Sequence, residues 1–476
     1  MTDQTAQPAD DAVNRGGLTG ASRLASGEGP AGVSRRSLFR AAGVGAAVVG
    51  GGSLLEACSS GIKGASSTSS SSSSTSKEIT IGWIHPLTGS LAAFGYPDSF
   101  VYDQIKKTSQ YSKGFKIGGS TYKVTLKSYD SQSSTTLAGT LAKQAIQQDN
   151  VDILFASSTP ETVNAVATEA ETLGTPLVCA NVPWQSWYTN LGGNLAKPTL
   201  KPKYQVMYFL GADQLANCFI PMWNRIGEKY GNNHTVSGVF PNDSDGNAFR
   251  AVFPPILKAA GYKMVLSPAY PDGTTNYSSM ISQFKAAKAD FFTNAPLPPD
   301  FAAMWKQSLQ EGYKPKLATV AKVLLFPTDT YSMGSEVYNV ATDTWWTPTL
   351  PWHSSLTGQT CAEMADLFTA AGLGQPNANI SNYTLFEIAY KALTSVNNPH
   401  DHQEVAAALY NVNLTEALAG PINYTSSSNP APGVALTPPV GIQWQKGTTY
   451  PLEAKVVDNT LLPQAKITGD LLPTFA

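Results

Sequence analysis

The chain has 476 residues, a formal net charge of −2, and 14% charged against 42% hydrophobic side chains. The charged fraction is well below the roughly 25% of ordinary soluble domains, and Ser and Thr replace much of the charge, as is common in secreted proteins. No basic field argues for nucleic acid or an anionic membrane surface, and no run of about 18 or more apolar residues reads as a membrane-spanning helix.

Residues 1–33 are polar and read as disordered. Ser34-Arg35-Arg36-Ser37-Leu38-Phe39 then precedes a weakly apolar stretch, Ala41 to Leu55. A twin arginine before a mild apolar core is an export signal, and this one resembles the twin-arginine translocation pattern. Leu54-Leu55-Glu56-Ala57-Cys58 resembles a bacterial lipobox, which places a diacylglycerol on Cys58; the alternative is an ordinary buried cysteine. Ser59 to Ser76 is nearly pure Ser with Thr, Gly and Ala, a composition that cannot bury a core and behaves as a tether. The expectation is a leader over 1–57, a lipidated tether over 58–77, and a protein held at the extracellular face of the membrane.

The folded part opens on Ile79 to Ile84, a short β-branched apolar run that reads as a strand buried on both faces. Pro86, Gly89 and Gly95 break it into a loop carrying Ser90 and Phe94, before Phe100, Val101 and Ile105 recur at helical spacing. Ligands of parallel α/β sheets bind at the carboxyl ends of strands, and this loop lies at such an end. Tyr122 to Tyr129 alternates as a strand and ends at Asp130. Val151 to Ala156 is a third strand, ending in Ser157-Ser158-Thr159-Pro160. Val163, Val166, Ala167, Ala170 and Leu173 form a helical face, so Thr159 reads as its N-cap and Pro160 as its first residue. Free N–H groups at that end, with the serine hydroxyls, suit a carboxylate, although a plain helix cap gives the same pattern. Thr175 to Ala180 is a fourth strand. The following Trp184, Trp187 and Tyr188 read as a loop that is either packing or an aromatic wall for a ligand.

Tyr204 to Leu210 reads as a crossing strand. A second alternating α/β unit follows, with strands at 234–240, 262–266, 290–293 and 316–320 and helices between them. Glu336 to Thr344 reads as a strand ending in Trp345-Trp346. Helices are expected at about 358–371, 382–396 and 401–410, a late strand and turn at 441–447, and an irregular tail from Tyr450. His400 and His402 read as helix-end residues, not metal ligands. Cys179, Cys218 and Cys361 are too few and too spread for a disulfide scaffold; one pair plus a free thiol, and three buried thiols, are both open.

The order of these elements resembles the solute-binding proteins of ABC transporters, in the branched-chain amino-acid (Leu/Ile/Val) binding group. The resemblance is carried by Ile81-Gly82 with Pro86-Leu87-Thr88-Gly89 and Gly95, Asp130, the Ser157-Ser158-Thr159 turn, the turn ending at Gly246, Gly420-Pro421-Ile422, and Gln443-Trp444-Gln445-Lys446-Gly447. It covers about 78 to 450. It implies two Rossmann-like lobes with parallel central sheets, the type I periplasmic binding fold, joined by a three-segment hinge and closing on a ligand. The first lobe would be 78–207 with 340–428, and the second 208–339 with 429–476. It also implies a monomer that needs no cofactor and serves an ABC permease and ATPase.

Carried over residue by residue, the resemblance puts an aromatic wall at Phe94 and a carboxylate grip at Ser157 and Ser158, with Thr159 beside them. Cys179, Ala180 and Asn181 fall at the next strand end, and Asp245 in the turn of the second lobe. Where amino-acid binders have an acidic residue after Val320, this chain has Ala321-Lys322. A buried ammonium without a carboxylate partner would cost several kcal/mol. This argues against the usual branched-chain amino acid as ligand and for an organic acid or amide with an apolar or aromatic body, gripped by Ser157, Ser158 and Lys322. Trp184, Trp187, Trp345 and Trp346 would line it, and Asp245 or Asp300 would counter any ammonium.

Other functions have weaker support. A sensor with the same lobes could report to a membrane receptor. An exported hydrolase would need a nucleophile, but the sequence has no Gly-x-Ser-x-Gly elbow and no His-Glu-x-x-His. Ser282 and Lys285 match Ser-x-x-Lys only as a surface-helix pair. Gly43 to Gly52 has no preceding strand and no Lys-Ser/Thr ending, so it is not a phosphate loop.

Overall fold

The computed structural model describes residues 77–475. The leader, the twin arginine, Cys58 and the tether lie outside the described residues. The apolar runs of the first half form a seven-stranded sheet. Its spatial order is Val434–Ala435, Gln205–Tyr208, Leu177–Ala180, Ile153–Ser157, Glu78–His85, Ser120–Asp130 and Phe115–Ile117. Every pairing is parallel except that of the last two strands. Strands covered by helices on both faces bury consecutive residues, which is why Ile153–Ser157 and Leu177–Ala180 are continuous apolar runs. Trp83 is fully buried, with its edge-on neighbour Phe386 supplied by the helix Tyr383–Leu393 from far along the chain. A large apolar side chain buried in this way contributes roughly 1.5–3 kcal/mol.

The second sheet runs Leu452–Asp458, Val440–Lys446, Ala341–Thr344, Leu317–Val320, Phe291–Asn294, Thr235–Val239 and Lys263–Leu266. Its last five strands are parallel, and the two C-terminal strands add antiparallel at one edge. The tail from Tyr450 is thus irregular only in part: Leu452–Asp458 is a strand zipped to Val440–Lys446, and turns and loop follow it. Its prolines lie outside the hydrogen-bonded stretch.

Sheet pairing also corrects the lobe boundaries. Ala341–Thr344 pairs with Leu317–Val320 and belongs to the second lobe, so the chain crosses back only after Thr344 and not at 340. Only 341–344 of the expected 336–344 strand is extended. Gly334–Val337 is a 3₁₀ turn, and Asn339 takes φ +59°. Val434–Ala435 pairs with Gln205–Tyr208, which puts the final crossing between Ala435 and Val440, later than 428. With the crossing after Tyr208, three segments join the lobes, the layout of a hinge.

The first loop is held from below. Asp130 accepts from the Leu87 and Thr88 N–H groups and from the Thr88 hydroxyl (2.9, 3.2 and 2.7 Å). Its place in the pattern is therefore structural. Gly95 is required there, because a Cβ would stand 2.2 Å from the Pro86 carbonyl oxygen. Cys179, Cys218 and Cys361 are all buried free thiols. His400 pairs with Asp152 (2.7 Å) and His402 with the Gly174 carbonyl (3.0 Å), as helix-end residues do.

Candidate functional site

The strand ends of the two sheets face each other across a cavity of about 30 Å³, lined from both lobes. Its polar lining is Thr159, Asn181, Asp245, Lys322 and Asp343. Phe94, Phe209, Phe249 and Trp345 wall it, with Pro183, Leu210, Leu215 and Leu325. Asn181 directly follows the strand Leu177–Ala180, and the strand Leu317–Val320 ends two residues before Lys322. Both take left-handed backbone angles, φ +63° and +66°. Non-glycine residues rarely adopt these angles, and such strain concentrates at sites where side chains are aimed for a purpose.

Lys322 is the electrostatic centre. Its Nζ lies 2.7 Å from Glu161 Oε1, 2.9 Å from Asp243 Oδ2 and 3.1 Å from Asp245 Oδ2. Glu161 comes from the first turn of the helix Pro160–Leu173 in the first lobe. Asp243 and Asp245 come from the N-cap and first turn of Ser244–Ala259 in the second. Burial opposes the ammonium's charge, but the three carboxylates outweigh it and push the lysine well above its ordinary pKa. Burial likewise opposes ionisation of Glu161, yet Lys322 holds its carboxyl down at about 2. For Asp245 burial dominates over Lys322, and its carboxyl is pushed up to about 7. Burial pushes Asp343 up to about 7 as well.

The expected site residues divide into two groups. Phe94, Thr159, Asn181, Asp245, Lys322 and Trp345 do line the cavity. Ser157 does not: its Oγ accepts from Trp83 Nε1 (2.9 Å) in the core. Ser158 is buried with its hydroxyl unpartnered. Cys179 and Ala180 are wholly buried within the sheet and outside the lining. Ser90 is exposed and outside the lining. The aromatic loop is in fact the helix Trp184–Asn190, which turns Trp187 inward to donate to Gln205 Oε1 (3.0 Å). Trp184 is buried beside Gly211 without lining the cavity. Trp345 and Trp346 follow directly on the strand Ala341–Thr344 and line different spaces. Trp346 faces a separate space of about 370 Å³ near the hinge. Asp300 accepts from the Gly273 N–H (3.0 Å), away from the cavity. The free grip expected of Lys322 is likewise corrected, since its ammonium is already held by three carboxylates.

Glu161, Asp243 and Asp343 were missed by the sequence reading. Asp243 and Glu161 lay next to motifs already singled out, each in a helix's first turn or cap. Asp343 carried no signal, because its neighbours are those of an ordinary buried strand. Several polar atoms around the cavity have no hydrogen-bond partner: the Thr159 hydroxyl and, as acceptors, Asn181 Oδ1, Asp245 Oδ1 and Asp343 Oδ1. The Asn181 amide nitrogen is already shared between Asn379 Oδ1 (3.0 Å) and Asn382 Oδ1 (2.9 Å), which leaves only its acceptor turned outward. A buried polar group without a partner costs about 1–3 kcal/mol. Unpaired acceptors grouped at one cavity are what a donor-bearing guest would satisfy.

Two doubly covered α/β lobes, joined by three crossings with a small polar-and-aromatic cavity between their strand ends, define the class of bilobal solute-binding proteins. The chain belongs to the periplasmic binding protein family, whose profile matches residues 78–434. It is similar to a Leu/Ile/Val-binding protein homolog of Brucella melitensis, 25% identical over 403 residues that cover 82% of this chain and 95% of that one. Its fold is that of a leucine-binding protein from Thermotoga maritima (TM-score 0.63, 16% identity, 80% of this chain and 99% of that one). The same fold is found in a solute-binding protein from Rhodopseudomonas palustris solved with 4-hydroxybenzoate (TM-score 0.62, 18% identity, 84% and 98%). A branched-chain amino-acid binding protein from Streptococcus pneumoniae, solved with isoleucine, shares it too (TM-score 0.60, 15% identity, 80% and 99%). The chain is thus a periplasmic binding protein by family, with the type I periplasmic binding fold of these solved structures.

Proposed function

We propose that the protein is exported, anchored outside the cell through a lipid on Cys58, and captures a small ligand in the cavity between its lobes for an ABC permease and ATPase. The ligand has an apolar body and a head group that donates hydrogen bonds, an amide or an ammonium. The single observation that carries this is the set of unpaired acceptors, Asn181 Oδ1, Asp245 Oδ1 and Asp343 Oδ1, around an otherwise aromatic cavity. With Lys322 already surrounded by carboxylates, a free carboxylate finds no unspent positive charge there. The relatives solved with isoleucine and 4-hydroxybenzoate make small apolar-bodied ligands the natural panel. At about 30 Å³ the space holds little more than a water molecule, so the lobes must part to admit a ligand.

A thermal-shift screen with leucine, isoleucine, their amides, benzoates and benzamides tests this, because a ligand of the folded form raises the melting temperature by mass action. An amide or amine giving the largest shift supports the reading. A shift from simple carboxylates alone overturns the head-group assignment. Mass spectrometry of membrane-extracted protein tests the anchor, since an unmodified Cys58 in the mature protein would remove it.

A further inference from the structure

The geometry points to Glu161, paired with the lining residue Lys322 at the edge of the cavity, as a built-in anion that takes the place of a ligand carboxylate and sets the protein's ligand specificity against carboxylates. This rests on the reading of the cavity as the ligand site.

Glu161 bridges the two lobes. Its backbone belongs to the first turn of Pro160–Leu173 in the first lobe, and its Oε1 accepts from Lys322 of the second at 2.7 Å. That carboxylate therefore sits where two attractions for an anion meet. One is the positive end of a 14-residue helix; the other is a lysine ammonium whose side chain is 4% exposed. Beside it Ser158 is 1% exposed, and its hydroxyl has no partner. This place, at a strand's carboxyl end, is the one a ligand carboxylate would take, and the chain's own side chain fills it.

Lys322 does not depend on Glu161 alone, because Asp243 and Asp245 stay within 2.9 and 3.1 Å. Truncating Glu161 therefore leaves the lysine paired and removes one negative charge together with the volume of a carboxyl group and one methylene. A ligand carboxylate entering that space restores the original charge count and the contact to Nζ. Wild-type protein already has this interaction internally, so an external carboxylate would add a surplus negative charge to a buried group of acids.

The test compares wild type, Glu161→Ala and Glu161→Ala/Lys322→Met by calorimetric titration. The probes are matched pairs that differ only at the carboxyl: leucine against leucinamide, and benzoate against benzamide. Wild type is expected to prefer the amide of each pair. Glu161→Ala is expected to bind the carboxylate at least tenfold more tightly than wild type does, with a gain that weakens as salt is raised. The added Lys322→Met change is expected to abolish the gain. A Glu161→Ala variant that melts cooperatively and keeps the wild-type preference overturns the proposal, as does a wild type that takes carboxylates as well as amides. If wild type binds no member of either pair, the cavity reading itself falls and this inference with it.

Discussion

Replacing Asp343 by asparagine isolates the cost of holding a carboxylate in the closed cavity. Asp343 is 2% exposed and its Oδ1 has no partner. Burial moves its carboxyl from 3.8 to about 7. At 1.36 kcal/mol per tenfold change in the proton equilibrium, that displacement amounts to about 4 kcal/mol against the ionised folded state. A group whose folded pKa is raised in this way binds more protons folded than unfolded, so its cost is absent below pH 3.8 and grows as pH rises toward 7, where it levels off. The substituted carboxamide carries no charge at any pH and has nearly the same shape. In urea unfolding at pH 8 the Asp343→Asn variant is expected to be more stable than wild type by up to about 4 kcal/mol, and at pH 5 by less than about 2 kcal/mol. The figure is a ceiling, because any opening that hydrates Asp343 would relieve it at lower cost. An advantage of the same size at both pH values would refute the ionisation argument. A variant less stable than wild type at both would mean that the carboxylate accepts a hydrogen bond the fold depends on.

Lys322→Met leaves Glu161, Asp243 and Asp245 facing one another without their shared cation. Breaking a buried ion cluster by removing one partner costs about 3–5 kcal/mol, so the urea midpoint at neutral pH should fall accordingly. A loss under about 1 kcal/mol would mean that the cluster is effectively hydrated. Gly246→Ala puts a Cβ 2.0 Å from the Pro241 carbonyl oxygen in the turn that presents Asp243 and Asp245. It should destabilise the chain by roughly 1–3 kcal/mol and weaken binding of whichever amide or amine the screen identifies; unchanged melting and affinity would show that the turn yields freely.

Much of the scaffold was legible because it rests on short-range rules. The run from Ile79 to Ile84 and the cap position and first-turn proline at Thr159 and Pro160 are written in a few adjacent residues, and each stands where it was expected. Errors came where partners are distant. Whether 341–344 belongs to one sheet or the other depends on pairing with Leu317–Val320, and the tail became a strand only because Val440–Lys446 offers it a free edge.

The site divides along the same line. Sequence alone pointed to the strand ends that border the cavity, and so included Phe94, Thr159, Asn181, Asp245, Lys322 and Trp345. It could not tell Ser157, spent on Trp83 in the core, from its neighbours. It could not foresee that an acid from each lobe would converge on Lys322. Local sequence determines which backbone can extend, turn or cap, because those energies arise within a few residues. Only the tertiary structure decides which charges are neutralised, because Coulomb and desolvation terms depend on groups brought within about 3–4 Å from the two lobes, here separated by 161 residues between Glu161 and Lys322.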